Sequence, residues 1–209
     1  MAWLRAGRES GLLSDLQEVT TDMWDGYVQA VAEVFGPTVR IVIDRFHVMK
    51  NFGDCMTKAR RETQKQLPPE AAAELKGTRW LWMTNPENLE EEERRKLEEI
   101  KEKFPPLAAL SRQREALRGI FENRSITAEG GITLLRQWME DAGKLGLAGL
   151  DKFCKTLENW MEKIANYFVA RSSNGRTEGF NRGIRALLWR GFGIPNFQHL
   201  RLRVLHVFG

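Results

Sequence analysis

From residue 45 to about residue 168 the chain carries almost no strand signal, and this long helical stretch restricts the folds open to it. Prolines punctuate it. Pro68-Pro69 opens a helix over EAAAELKG, and Pro105-Pro106 halts the charged run LEEEERRKLEEIKEK at 89–103. Further helices are expected over 44–61, 107–122, 128–144 and 150–168. In the charged run, acids and bases three and four residues apart mark a solvated helix face. What precedes this block differs. Residues 18–21 read as a short strand ending at Asp22, and 24–35 place Tyr27, Val31, Val34 and Phe35 at helical spacing before Gly36-Pro37. VRIVI at 39–43 reads as a buried strand ending at Asp44. A helix crossing between two strands implies a parallel pair. Both aspartates then stand at strand C-terminal ends, the edge where open parallel sheets bind ligands. Residues 11–16 are expected to finish an earlier helix.

The C-terminal segment is charged differently. Seven arginines (Arg171, Arg176, Arg182, Arg185, Arg190, Arg201 and Arg203) face a single acid, Glu178, a net +6 in a chain whose total is +4. A helix is expected over 176–190, capped by Ser173 or Asn174. At about 100° per residue, Phe180, Ile184, Leu187 and Leu188 share one side, and Glu178, Arg182, Arg185 and Trp189 the opposite one. Gly191 and Gly193 break this helix, and Pro195 opens a last one bearing Leu200, Val204 and Leu205. A lone acid among arginines suits a metal-dependent phosphoryl-transfer site on a nucleic-acid backbone. The arginines hold phosphates, and the acid helps hold a divalent metal.

Asp22, Asp44 and Glu178 together would offer the oxygen ligands that magnesium prefers. The plain alternative is that an acid after a strand is a turn residue or a helix cap. His47, in Asp44-Arg45-Phe46-His47, orients a carboxylate, contacts phosphate, or packs in the first turn of the next helix. His199 and His206 lie seven residues apart with no third ligand. Trp80, Trp82, Trp138 and Trp160 are expected in the core, whereas Trp189 shares a face with Glu178. Hydrophobic residues at 42% and charged residues at 29% exclude global disorder, and a pI near 9.2 permits nucleic-acid binding without arguing for it. Cys55 and Cys154 have no metal-binding spacing and read as reduced core thiols. MAWLRAGRES lacks the apolar run of a signal peptide, and no stretch reaches the length of a membrane span. The expected compartment is the cytoplasm, with no membrane partner.

Four segments resemble insertion-sequence transposases of the DDE type, specifically the ISL-three-like family. They are VTTDMWDGYVQAV at 19–31, VRIVIDRFHVMKNF at 39–52, GTRWLWMTNPENL at 77–89, and NYFVARSSNGRTEGFNRGIRALLWRGFGIPNFQHLRLRVL at 166–205. The resemblance implies an α/β, mostly helical fold: a truncated ribonuclease H-like core with a large all-helical insertion. Residues 1–54 would form the N-terminal part of that core, 55–165 the insertion, and 166–209 the C-terminal helices carrying the glutamate. It also implies that Asp22 is the second catalytic aspartate and Glu178 the closing glutamate, both binding Mg2+ or Mn2+. Asp44 and His47 would lie beside that site in support, with Arg176, Arg182, Arg185 and Arg190 on DNA.

The family's first catalytic aspartate lies on an earlier strand with no counterpart here, and Asp15 sits in an expected helix too near Asp22 to replace it. The chain is therefore expected to be the C-terminal part of a transposase, inactive alone, with Asp22 and Glu178 across one polar hollow. Its expected partners are transposon-end DNA, itself, or a full-length transposase. The alternative is a non-catalytic helical protein that binds DNA or an intact transposase and inhibits it.

Overall fold

In the computed structural model, which describes residues 1–208, a short helix α1 (Ala2–Glu9) leads through a turn into β1 (Glu18–Thr21). Residues 11–16 therefore do not finish a helix. Gly11 adopts a φ of 76°, and the amide of Leu13 bonds back to the Gly7 carbonyl at 3.0 Å. That turn carries Leu13 and Leu16 onto the same apolar cluster as Leu4. Next come α2 (Asp25–Phe35), a 3-10 turn and β2 (Arg40–Ile43). The two strands pair in parallel, Glu18 opposite Arg40 and Thr21 opposite Ile43, and are the only strands among the described residues. The expected β-α-β unit is present.

Alternation along β2 gives the sheet two apolar sides. Val39 and Ile41 pack with Val31, Val34 and Phe35 of α2, while Val42 joins Val48 and Phe52 in a much larger helical core. The helices of that core are α3 (Arg45–Gln66), α4 (Pro69–Leu75), α5 (Arg79–Met83), α6 (Glu91–Lys103), α7 (Pro105–Glu122), α8 (Ala128–Gly143), α9 (Ala148–Ala165) and α10 (Tyr167–Ala170). Four of them close a ring: α3 packs on α7, α7 on α8, α8 on α9, and α9 on α3. Phe52, Trp138 and Phe153, from three of these helices, meet edge to face with centroids 5.1–5.8 Å apart. The helix expected over 150–168 is interrupted at Asn166, whose Nδ2 donates to the Ile41 carbonyl at 2.8 Å. This bond ties the end of α9 to the outer edge of β2.

Trp82 and Trp138 are buried and Trp160 is half-buried, but Trp80 departs from expectation. It is 68% exposed, with the Arg79 guanidinium 4.7 Å above its ring. A five-residue helix leaves it outside the ring of long helices. Cys55 and Cys154 are half-buried free thiols against the core. Burial, reinforced by the neighbouring Cys154, pushes the Cys55 thiol up to about 11, which keeps it protonated at neutral pH. No helix among the described residues is long and apolar enough to cross a membrane.

The chain divides into two units, Met1–Arg171 and Ser172–Gly209. Arg171 closes the first. Its backbone is left-handed, with φ 59°, and its guanidinium donates to the carbonyls of Phe121 at 2.7 Å, Asn123 at 2.6 Å and Ile126 at 3.4 Å. It also stacks over Tyr167 and Phe168. Arg171 thus terminates α7 and does not belong to the basic surface that follows. Arg171→Ala is expected to cost about 2 kcal/mol of stability, read as a lower urea midpoint with an unchanged slope.

The second unit is a helical hairpin, α11 (Gly175–Arg190) and α12 (Phe197–Phe208). The helices approach closely because Gly183 has no side chain: a Cβ there would sit 2.4 Å from the Phe208 ring. Phe180 meets the same ring edge to face at 5.6 Å.

Candidate functional site

Two acids stand at the C-terminal ends of the strands, as their positions in the sequence required. Asp22 and Asp44 follow the paired residues Thr21 and Ile43, and the Asp44 amide reaches the Thr21 carbonyl at 3.4 Å. Neighbouring strands lie about 4.8 Å apart, so the two aspartates are adjacent. Asp22 is half-buried and receives a weak bond from Thr21 Oγ1 at 3.4 Å. Asp44 is buried, and its Oδ1 accepts from the Phe46 amide at 2.9 Å. It therefore caps α3, one of the two plain alternatives for an acid after a strand. His47 is half-buried in the first turn of α3, with the Phe46 ring edge to face at 5.8 Å.

In the second unit the helical periodicity holds along the whole of α11. Phe180 and Gly183 pack on α12, while Glu178, Arg182, Arg185 and Trp189 are all exposed along the other side. Asn174 precedes the first turn, and Ser173 Oγ accepts from the Gly175 amide at 3.4 Å. Glu178 lies in that first turn, where the partial positive charge of the helix end favours an anion.

The two units treat their arginines differently. In the first, Arg118 engages Glu87, Glu115 and Glu122, and Arg136 engages Glu158, so much of the charge is neutralised internally. In the second, six arginines stand against Glu178 alone. Among the described residues, none of Arg176, Arg182, Arg185 and Arg190 forms an ion pair. Four exposed guanidiniums without counter-ions on one helix make a surface suited to phosphate oxygens.

A metal is a separate question. Among the described residues no three His, Cys, Asp or Glu side chains gather as a group able to hold an ion. Sequence reasoning also passed over Phe192, which follows α11 with a φ of 50° and a fully exposed ring. The signal was the triplet Gly-Phe-Gly, which reads as a helix stop but also holds an aromatic residue clear of its neighbours.

Comparison with known proteins identifies a family for the sequence. A family profile described as "Transposase", of the ISL-three DDE type, matches residues 2–204. The transposase for insertion sequence element IS1001 of Bordetella parapertussis is 25% identical over 202 residues, covering 95% of this chain and 49% of that protein. The chain thus spans about half the length of the curated relative it matches. No solved structure matches it. With the family profile extending over nearly every residue, the chain belongs to the ISL-three-like family of DDE transposases.

Proposed function

We propose that this chain is the DNA-engaging part of a DDE-type transposase. In this reading Arg176, Arg182, Arg185 and Arg190 hold backbone phosphates at transposon ends. Asp22 and Glu178 are the carboxylates that serve a divalent metal, Mg2+ or Mn2+, and Asp44 and His47 support them from the end of β2. Residues 1–54 belong to the N-terminal part of a ribonuclease H-like core, 55–165 are its all-helical insertion, and 166–209 are the C-terminal helices of that core. The observation that carries the reading is that Arg176, Arg182, Arg185 and Arg190 of α11 are exposed and form no ion pair among the described residues, with Arg182 and Arg185 on the side of Glu178.

In this reading the chain supplies two of the carboxylates of a two-metal centre, fewer than such a centre uses. The isolated chain therefore binds DNA without cutting or joining it. Purified chain incubated with supercoiled plasmid and magnesium or manganese should leave the plasmid intact. In fluorescence anisotropy the same protein should bind duplex DNA with an affinity that falls steeply as salt rises. Nicking that disappears in Glu178→Gln would overturn the claim of inactivity. Absent or salt-insensitive binding would overturn the DNA reading itself.

A second reading has one observation in its favour. Gln17 and Thr21 turn their carbonyls toward β2, so the backbone groups of Glu18 and Thr20 point the other way, where no strand lies among the described residues. Such an edge suits a chain that joins an intact transposase and inhibits it. Co-elution with a full-length family member, abolished in Thr20→Pro, would favour this reading.

A further inference from the structure

The turn after α11 is built against its own backbone preference. The Gly193 amide bonds to the Leu188 carbonyl at 2.9 Å and the Phe192 amide to the Trp189 carbonyl at 3.1 Å, the paired bonds of a Schellman helix stop. The residue between Gly191 and Gly193 in that motif adopts a left-handed conformation, where glycine sits without cost. Here it is Phe192, with φ 50°, and its ring is fully exposed. No packing offsets the unfavourable backbone. Trp189, one turn earlier, is 83% exposed and lies on the same side of α11 as Arg182 and Arg185. Arg190 stands between the two aromatic residues, and Phe197 at the start of α12 is exposed as well.

A strained backbone that serves no packing points to a role for the side chain it displays. Bare aromatic rings beside unpaired guanidiniums have the composition of surfaces that stack unpaired bases while gripping the adjoining phosphates. We propose that Trp189 and Phe192 form a stacking site for unpaired bases of DNA at the end of α11, with Arg185 and Arg190 holding the flanking phosphates. The inference rests on the DNA reading above and deepens it: the preferred ligand is a duplex whose end is single-stranded.

The test compares the full chain's affinity for a blunt duplex and for the same duplex with a short single-stranded thymidine overhang, by fluorescence anisotropy. The overhang should bind about tenfold more tightly. Trp189→Ala and Phe192→Gly should each collapse that preference to within about twofold, and Trp189→Phe should retain most of it. Phe192→Gly should melt no lower than the parent chain, since glycine relieves the left-handed residue and nothing buried is removed. A variant of undiminished stability that loses the preference distinguishes ligand stacking from a folding role.

An unchanged preference in both variants, or equal binding of the two duplexes by the parent chain, would overturn the proposal. With blunt-duplex binding still dependent on Arg182 and Arg185, the second result would leave the DNA reading standing. Failure to bind either duplex would remove both. If the parent chain self-associates, and Trp189→Ala abolishes association without touching the overhang preference, the rings belong to a protein interface and the stacking site falls.

Discussion

Replacing Arg182 and Arg185 together with glutamate is expected to lower affinity for duplex DNA on the order of a hundredfold at moderate salt. Both side chains are exposed on the side of α11 away from α12, and neither has an acid to release when DNA arrives. Each phosphate that is no longer neutralised should take close to one from the slope of log affinity against log salt. The double variant should therefore show a slope shallower by about two, the readout that separates missing charge neutralisation from a misfolded hairpin. Paired lysine substitutions keep the charge but not the planar fork, and should retain most of the slope with a smaller fall in affinity. A double reversal that leaves affinity and slope untouched would place the DNA surface elsewhere on the chain.

Phe52→Ala is expected to destabilise the first unit by about 3–5 kcal/mol. The ring is fully buried and meets Trp138 and Phe153 edge to face, so truncation opens a cavity where three long helices meet. Single domains are stable by only about 5–15 kcal/mol, so the variant should unfold near or below half the denaturant that the parent chain withstands. Urea titration followed by far-UV circular dichroism measures this. Trp80→Ala is the matched control. It removes a larger ring from an exposed site and should shift stability by no more than about 0.5 kcal/mol.

That pair also shows where sequence reading succeeds and where it stops. Apolar spacing and proline-glycine stops revealed the β-α-β unit and the long helices, because each signal is local and repeats over several turns. Trp80 lies in a five-residue helix, too short for a period to establish, and its exposure follows from where the long helices meet. Asn166 inside an apolar run gave no local sign that a helix would break, since its partner is a strand carbonyl far back in the chain. At the candidate site, the exposed face of α11 was legible from periodicity alone. The capping bond at Asp44 was legible only as one of several open alternatives. Arg171 counted among the phosphate-binding arginines by charge, yet its guanidinium is taken up by three backbone carbonyls. Charge is readable from composition, but the partner that neutralises it is not.

The bond from Asn166 to Ile41 spans 125 residues, which sets a timetable for the chain as it is made. At ribosomal speeds of about 5–20 residues per second, β2 emerges roughly 6–25 s before the residue that shields its outer edge. During that interval β1 and α2 are already available to the nascent strand, but its outer edge waits without the side chain that bonds to it. Chaperone engagement during translation should therefore be concentrated on the early part of the message, well before any of the arginine-rich hairpin has been synthesised.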